Sequence, residues 1–201
     1  MRRRDYSSGD HGQIETIAFQ SEVGYLGIID HNHIPRTVPL NFIYMDESVF
    51  FHGADEGEKF DFFSTNPNVS FSLVKPYSMI PSYWVARGYA CPATQFYKSI
   101  YFKGVGTIEP DVEMKADILE TFMKKYQPEG GYKKITTTDQ LYKKALEEVS
   151  IFKIQIESVD LKFKFGQNHS VEKRQTIMEK LIERNDGLDK DTAEEIGKTF
   201  L

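Results

Sequence analysis

Residues 36–59 constrain the fold of this chain more than any other stretch, because two short strands, a turn and a helix start follow one another directly. The first predicted strand, residues 36–44, contains Pro39, which cannot donate a backbone hydrogen bond and therefore favours a sheet edge or a bulge. The helix that follows the second strand carries Gly57 and Lys59 in its first predicted turn. Such a unit is suited to binding an anion that carries a flat apolar body.

Lys59 has two interpretations at this stage. A lysine in the first turn of a helix opposes the helix dipole, which favours negative charge at that end. The position becomes favourable if a phosphate binds there, held by backbone N–H groups together with the ammonium. Alternatively, Lys59 is an ordinary exposed lysine, since Glu56 and Glu58 flank it. The residues alone leave both interpretations open.

The apolar periodicity of the whole chain predicts an α+β fold built on a small antiparallel barrel with flanking helices. Six strands are expected, at residues 24–30, 36–44, 49–52, 69–74, 95–109 and 151–165. Helices are expected over residues 14–22, from residue 55, over residues 111–126 and 137–148, and after Ser170.

The segment 75–94 lacks a clear period but is rich in aromatic residues, so we expect an ordered irregular loop that acts as a lid or a dimer contact. The length of 201 residues is that of one domain, and we expect residues 1–201 to form a single domain. Residues 170–201 would be a helical C-terminal extension of it.

The strand predicted at 95–109 places Gly104 and Gly106 on the same face as Phe102. Two glycines leave that face bare, which permits the close approach of another backbone or of a ring, or marks a sharp bend of the barrel. The pair is not a dinucleotide fingerprint, because the third glycine and a directly following helix are missing.

Composition excludes several classes of protein. The formal net charge of -5 argues against nucleic-acid binding, which depends on clustered Lys and Arg. No stretch approaches the ~18 consecutive apolar residues of a membrane-spanning helix, and the basic opening lacks the apolar segment of a signal peptide. The single cysteine, Cys91, excludes an internal disulfide. We therefore expect a cytoplasmic protein that binds neither nucleic acid nor membranes.

Hydrolytic and metal chemistry are weakly supported by the motifs. The chain has no G-x-S-x-G elbow, no HExxH and no P-loop, and nothing in the sequence marks a partner for Cys91. His31 and His33 suit a turn better than a metal site, since no further ligand follows at metal-site spacing.

Three stretches together resemble a known family: VPLNFIY, FFHGADEGEKFDFFSTNPNVSF and CPATQFYKSIYFKGVGTIE. They resemble the flavin-binding split-barrel proteins related to pyridoxamine 5'-phosphate oxidase, and among these the nitroimidazole-reductase (Nim) type. The resemblance covers roughly residues 5–168. It implies a six-stranded split barrel and a homodimer that holds FMN, with FAD as the alternative, at the subunit interface.

Carried over by position, the resemblance implies the following flavin contacts. The residues that would run beside the ring and ribityl chain are Arg36, Thr37, Val38, Pro39, Leu40 and Asn41. The flavin would be lined by His52, Gly53 and Ala54, and its phosphate would be bound by Lys59. Ser99 would contact the flavin from a neighbouring strand, and Gln167 and Asn168 would reach the partner's flavin. His52 is also the candidate catalytic residue, as a proton donor.

Two departures from the family pattern narrow the function. Glu58 stands where the oxidases place an arginine before the phosphate lysine, and their C-terminal arginine and tryptophan signature is missing. Oxidation of pyridoxamine phosphate is therefore not expected. The resemblance implies a flavin-dependent oxidoreductase that passes electrons from NAD(P)H to a small acceptor such as a nitroaromatic. The alternative is a non-catalytic flavin- or haem-binding stress or regulatory protein on the same fold.

Overall fold

The computed structural model describes residues 4–65 and 67–200 of the chain, which form an α+β protein. Within these residues lie seven strands: β1 (Gly24–Ile29), β2 (Pro35–Leu40), β3 (Ile43–Met45), β4 (Ser48–Ala54), β5 (Asn68–Ile80), β6 (Thr94–Glu109) and β7 (Val149–Lys164). The α-helices are α1 (Gln13–Gln20), α2 (Glu58–Phe63), α3 (Val112–Tyr126), α4 (Gln140–Glu148), α5 (Val171–Arg184) and α6 (Asp189–Lys198). Short 3-10 helices occur at Arg4–Tyr6 and Ser82–Trp84.

One sheet contains all seven strands in the order β2-β1-β5-β6-β7-β4-β3. The pairs β1 with β2, β1 with β5, β3 with β4 and β4 with β7 are antiparallel. The α+β class with flanking helices is thereby confirmed, whereas the expected number of six strands is wrong. Within the described residues β2 and β3 end the sheet, so these pairings do not close it into a complete barrel.

The additional strand arises because the predicted strand 36–44 is interrupted at Asn41 and Phe42. The Asn41 side chain donates to the carbonyl oxygen of Glu22 at 3.0 Å, and the Phe42 N–H donates to the Tyr126 hydroxyl at 3.0 Å. Lys125 donates to the Phe42 carbonyl oxygen at 2.9 Å. Side chains of α3 thus satisfy backbone groups that a continuous strand would have given to its neighbour.

The expected irregular loop 75–94 is wrong in its first part, because β5 continues to Ile80. The Ser78 hydroxyl donates to Asp189 at 2.6 Å, and the Ser78 N–H donates to the Thr192 hydroxyl at 3.0 Å. Arg184 holds the same carboxylate, with Nε 2.7 Å from it. This buried polar network lies between the end of β5 and the C-terminal helices and keeps that part of the strand ordered.

Helix caps explain where several helices begin. Ser170 caps α5 as predicted, with its hydroxyl accepting from the Lys173 N–H. α4 begins at Gln140 with Asp139 as its cap, so the predicted start at Thr137 is wrong. α2 begins at Glu58, later than residue 55, because Gly57 precedes it with a φ of 91°, a conformation that favours glycine.

The chain divides into two compact units, and the boundaries fall just before α1 and within β5, β6 and β7. The first unit comprises residues 12–73 and 101–159, and the second comprises residues 4–11, 74–100 and 160–200 of the described chain. In the first unit, the stacked rings of Phe51 and Phe152 lie 5.0 Å apart, and Phe63 packs edge-on against both. In the second unit, Phe165 packs edge-on against Tyr77 and Phe96.

The two glycines of β6 lie on its buried face, as predicted. A Cβ atom on Gly104 would overlap the carbonyl oxygen of Gln155, and one on Gly106 would lie 2.5 Å from the Phe63 ring. The bare face therefore admits a backbone at one glycine and an aromatic ring at the other, both from this chain.

Candidate functional site

The structure divides the predicted site residues between the two compact units. The first unit contains Arg36, Thr37, Val38, Pro39, Leu40, Asn41, His52, Gly53, Ala54 and Lys59, and the second contains Ser99, Gln167 and Asn168. The first ten come from β2 and the residue after it, the end of β4, and the first turn of α2. Because these ten residues belong to one compact unit, their positions relative to one another can be described.

β2 is an end strand of the sheet, which confirms the edge position predicted from Pro39. Among the described residues it pairs with β1 alone, in a register that places Pro39 opposite Tyr25. Its residues are exposed or half-buried throughout. The backbone groups on its outer side therefore have no strand partner in the described chain and are available to a ligand.

His52, Gly53 and Lys59 come together where β4 ends and α2 begins. A Cβ atom placed on Gly53 would lie 3.6 Å from the Lys59 ammonium nitrogen and 3.2 Å from the Phe152 ring, so the bare backbone of β4 runs close to this ammonium. The His52 ring packs edge-on against Phe122, with 5.0 Å between ring centres. Desolvation lowers the pKa of His52, and the charge of Lys59 lowers it further. His52 is therefore neutral at pH 7.

The acidic neighbour of Lys59 is paired with another residue. Glu58 forms an ion pair with the guanidinium of Arg36, which β2 supplies. Lys59 itself has no ion pair or hydrogen bond to its side chain within residues 4–65 and 67–200. The carboxylate of Glu58 is thus paired with the guanidinium of Arg36 and not with Lys59. The positive charge of the Lys59 ammonium therefore remains available to an anionic ligand.

A solvent-open cavity of about 850 Å³ lies beside this ion pair. It is lined by Ile28, Ile29, Asp30, His31, His33, Arg36, Glu58, Asp61, Phe62 and Thr65. Arg36 is the member of this lining that the sequence had singled out as a ligand contact. The others come from the end of β1, from the β1–β2 turn, and from α2 and the residues after it, and the periodicity of α2 was the signal that could have placed Phe62 here.

The turn that carries His31 and His33 is shaped by Asp30. The Asp30 carboxylate accepts the N–H of Asn32 at 2.8 Å and the N–H of Ile34 at 2.9 Å, and these bonds contribute to lowering its pKa. His33 takes a φ of 61° in this turn. Among the described residues no group of three or more His, Cys, Asp and Glu side chains is arranged to hold a metal ion.

The three predicted residues of the second unit have different local roles. The side-chain amide of Gln167 accepts from the Phe165 N–H at 2.8 Å and donates to the Phe163 carbonyl oxygen at 2.7 Å, so both of its polar atoms bind the end of β7. Asn168 accepts from the Tyr6 hydroxyl at 2.5 Å. Ser99 is half-buried on the outward face of β6.

No helix in the described part of the chain combines the length and the apolar character needed to cross a membrane.

Comparison with known proteins places the chain in a structural context. A family model described as pyridoxamine 5'-phosphate oxidase matches residues 10–163. No curated protein sequence matches the chain.

Several solved structures share the fold. A candidate 5-nitroimidazole antibiotic resistance protein from Bacteroides thetaiotaomicron has a TM-score of 0.61 at 22% identity, over 78% of this chain and 85% of that chain. The flavocytochrome Anf3 from Azotobacter vinelandii has a TM-score of 0.67 at 18% identity, over 85% and 75%. The FAD and heme binding protein from Mycobacterium smegmatis has a TM-score of 0.66 at 11% identity, over 85% and 78%. At these identities the likeness shows a common fold and nothing more specific.

Proposed function

Because the chain belongs to the pyridoxamine 5'-phosphate oxidase family, we propose that it binds FMN and passes electrons from NAD(P)H to a small acceptor. The observation that carries this proposal is the Lys59 ammonium, which lies against the bare backbone of Gly53 without a carboxylate partner among the described residues. A half-buried cation in this state is stabilised by an anion such as a phosphate.

The residues around Lys59 fit the phosphate end of a flavin. Gly53 has no side chain that would separate the ligand from the strand, and the ion pair of Glu58 with Arg36 offsets the acidic charge next to the lysine. His52, which is neutral at pH 7, adds a ring N–H to the same region. The ion pair between Glu58 and Arg36 also explains how a phosphate site can tolerate Glu58 in place of the family's arginine, because the guanidinium from β2 neutralises the carboxylate.

The flat part of the ligand would lie along the free edge of β2. Along Thr37, Val38, Leu40 and Asn41, those N–H and C=O groups that point away from β1 would bind the heteroatoms of the ring, with the ring of Pro39 beside them. Ala54 would line the ligand where β4 ends. FAD remains the alternative to FMN, because the edge of β2 is open to a longer ligand.

The electron-transfer chemistry would come from the bound flavin itself. This chain's residues would position it: Lys59 would hold the phosphate, and β2 would hold the ring by backbone hydrogen bonds. His52 would relay a proton: its nitrogen that is free at neutral pH would take a proton from solvent, and its ring N–H would give one to the reduced acceptor or cofactor.

We propose a homodimer, with flavin at the interface between subunits, as the assembled form. Apolar side chains remain exposed in the first unit on β1 and in the turn that leads to β2, among them Tyr25, Ile29 and Ile34. Surfaces of this kind are commonly covered by a partner. Ser99, Gln167 and Asn168 would act from the second unit of the partner subunit. A cytoplasmic location completes the proposal.

The phosphate role of Lys59 is tested by comparing FMN with riboflavin. Lys59→Ala should weaken FMN binding about 10- to 100-fold, the value of one charge-assisted contact, and leave riboflavin within about twofold. Lys144→Ala is the matched control, because Lys144 is an exposed helical lysine paired with Glu148. Equal losses for FMN and riboflavin would reject the phosphate role.

Turnover is tested on the purified protein by its absorption spectrum. We expect a flavin spectrum that bleaches with NADH or NADPH and returns when a nitroaromatic compound is added. A colourless protein that cannot be reconstituted with FMN would overturn the flavin proposal. A flavin spectrum that neither nicotinamide cofactor bleaches would overturn the reductase and favour a binding protein. Sedimentation of the purified protein as a monomer with bound flavin would exclude the dimer interface site.

A further inference from the structure

A second cavity, of about 370 Å³, lies entirely within the second compact unit. Its wall combines the end of β7 with the start of β6, the loop that precedes β6, and Tyr6 from near the N-terminus. Of the residues predicted to bind flavin, Asn168 alone is part of this wall. The cavity is large enough for a small organic molecule.

The charge of the cavity comes from two lysines on one strand. Lys162 and Lys164 are two positions apart on β7, so their side chains leave the same face of the strand. Their ammonium nitrogens lie 5.0 Å and 5.7 Å from the centre of the Tyr97 ring. Both lysines are half-buried. Two like charges held over one ring and partly removed from water repel each other.

No acidic residue offsets these charges in the cavity wall. Among the described residues that line it, none is Asp or Glu, and His169 is the third basic side chain. The side chain of Lys162 forms no ion pair in the part of the chain that the structure describes. Lys164 donates to the Thr94 hydroxyl, which fixes its position at the wall. An anion in this cavity would therefore meet two ammonium groups already aligned.

The floor of the cavity is apolar. The accessible apolar surface comes from Pro92 and Ala93, because the Phe96 ring is 1% exposed and packs edge-on against Phe165. At the far side the Tyr6 hydroxyl donates to Asn168 and keeps the N-terminal segment in place. A cationic wall beside an apolar floor matches a ligand that has a negative group and an apolar body.

We propose that this cavity is a binding site for a small organic anion. The ammonium groups of Lys162 and Lys164 hold its phosphate or carboxylate, and its apolar body lies against Pro92 and Ala93. The site does not depend on the flavin proposal, since its lysines and its floor are separate from Lys59 and β2.

Chemical modification of Cys91 can report whether this cavity is occupied. Cys91 is the single cysteine of the protein, it is exposed, and it lines the cavity. The rate at which N-ethylmaleimide, a neutral reagent, modifies the full-length protein therefore measures access to the cavity. Phenyl phosphate and benzoate should slow the reaction in a saturable way, and benzyl alcohol at the same concentration should not. Protection by phenyl phosphate and not by inorganic phosphate would place the apolar body on the floor.

The lysines are tested by matched variants. Lys162→Met combined with Lys164→Met should raise the concentration of phenyl phosphate needed for half-protection about 10- to 30-fold, from about three- to fivefold for each ammonium. The pair Lys162→Arg and Lys164→Arg should keep most of the protection. Lys153→Met is the control, because Lys153 lies on the same strand over the Phe50 ring and away from the cavity.

Four results would overturn the site. The first is a lack of protection by either anion, and the second is equal protection by benzyl alcohol. The third is protection that survives unchanged in the double methionine variant. Displacement of bound FMN by phenyl phosphate in proportion to Cys91 protection would also overturn it, since the cavity would then belong to the flavin site. Loss of flavin binding in Lys59→Ala with Cys91 protection intact would leave the anion site standing by itself.

Discussion

Replacing Gly104 by alanine tests how closely β6 and β7 cross. An added Cβ atom would overlap the Gln155 carbonyl oxygen and would lie 2.8 Å from the carbonyl carbon and 3.1 Å from the Ile156 Cα. All three are backbone atoms of β7, so rotation of a side chain cannot relieve the overlap. Since carbon atoms pack at about 3.5–4.0 Å, the two strands would have to separate locally by about 1 Å.

We expect Gly104→Ala to lower the free energy of unfolding by about 3–5 kcal/mol. Overpacking of a core contributes about 1–3 kcal/mol, and about two weakened sheet hydrogen bonds add about 1 kcal/mol each. Since domains are stable by about 5–15 kcal/mol in total, the variant should remain folded with a clearly lower midpoint of denaturation.

Two other glycines provide the comparison. At Gly27 an added Cβ would meet the hydroxyl of Ser70, which can rotate away, so Gly27→Ala should cost less than about 1 kcal/mol. At Gly197, in α6, nothing lies within 4 Å, so alanine should stabilise the helix by about 0.5 kcal/mol. Urea denaturation followed by circular dichroism, at one fixed flavin concentration, measures all three. A Gly104→Ala protein as stable as Gly27→Ala would refute the close crossing.

Three further predictions concern charged groups. Lys59→Met should raise the pKa of His52, because the ammonium is one of the two causes of its lowering; a histidine NMR titration without an upward shift would contradict this. Asp189→Ala should lower the free energy of unfolding by about 2 kcal/mol in urea denaturation, since the buried carboxylate accepts from the Ser78 hydroxyl and from the Arg184 guanidinium, and a loss below about 0.5 kcal/mol would contradict the network. Because Arg184 lowers the pKa of Asp189 to about 2, this stabilisation is present above about pH 4 and lost as the pH falls towards 2. Burial lowers the pKa of Lys125 to about 8, so the unfolded chain binds more protons above that pH. The stability of the protein relative to Lys125→Met should therefore rise by about 2 kcal/mol between pH 8 and pH 10, and a constant difference would count against the burial of this charge.

Local patterns predicted much of the fold correctly. The strand at residues 95–109 and its glycine face follow from the two-residue alternation of β6, which depends on neighbouring residues alone. The cap at Ser170 is equally local. The continuous strand expected over residues 36–44 was wrong because the partners of Asn41 and Phe42 come from segments that lie far away in the sequence.

The polar network around Ser78 likewise could not be predicted from local sequence patterns. Its partners Asp189 and Thr192 are 111 and 114 residues away, and no pattern within residues 75–94 indicates that they will hold β5 in place. An irregular loop was the reasonable expectation for a stretch with three prolines. Tertiary hydrogen bonds overrode that local preference.

The sequence by itself determined the α+β class, the edge position of β2 and the placement of His52, Gly53 and Lys59 near one another, because these depend on alternation, on proline and on adjacency in the chain. The tertiary structure alone decided that Arg36 neutralises Glu58, that seven strands form instead of six, and that Lys162, Lys164 and Pro92 line one cavity. Each of these depends on contacts between residues that are distant in the sequence, and the energy of such a contact becomes available only when the folded backbone has brought both partners together.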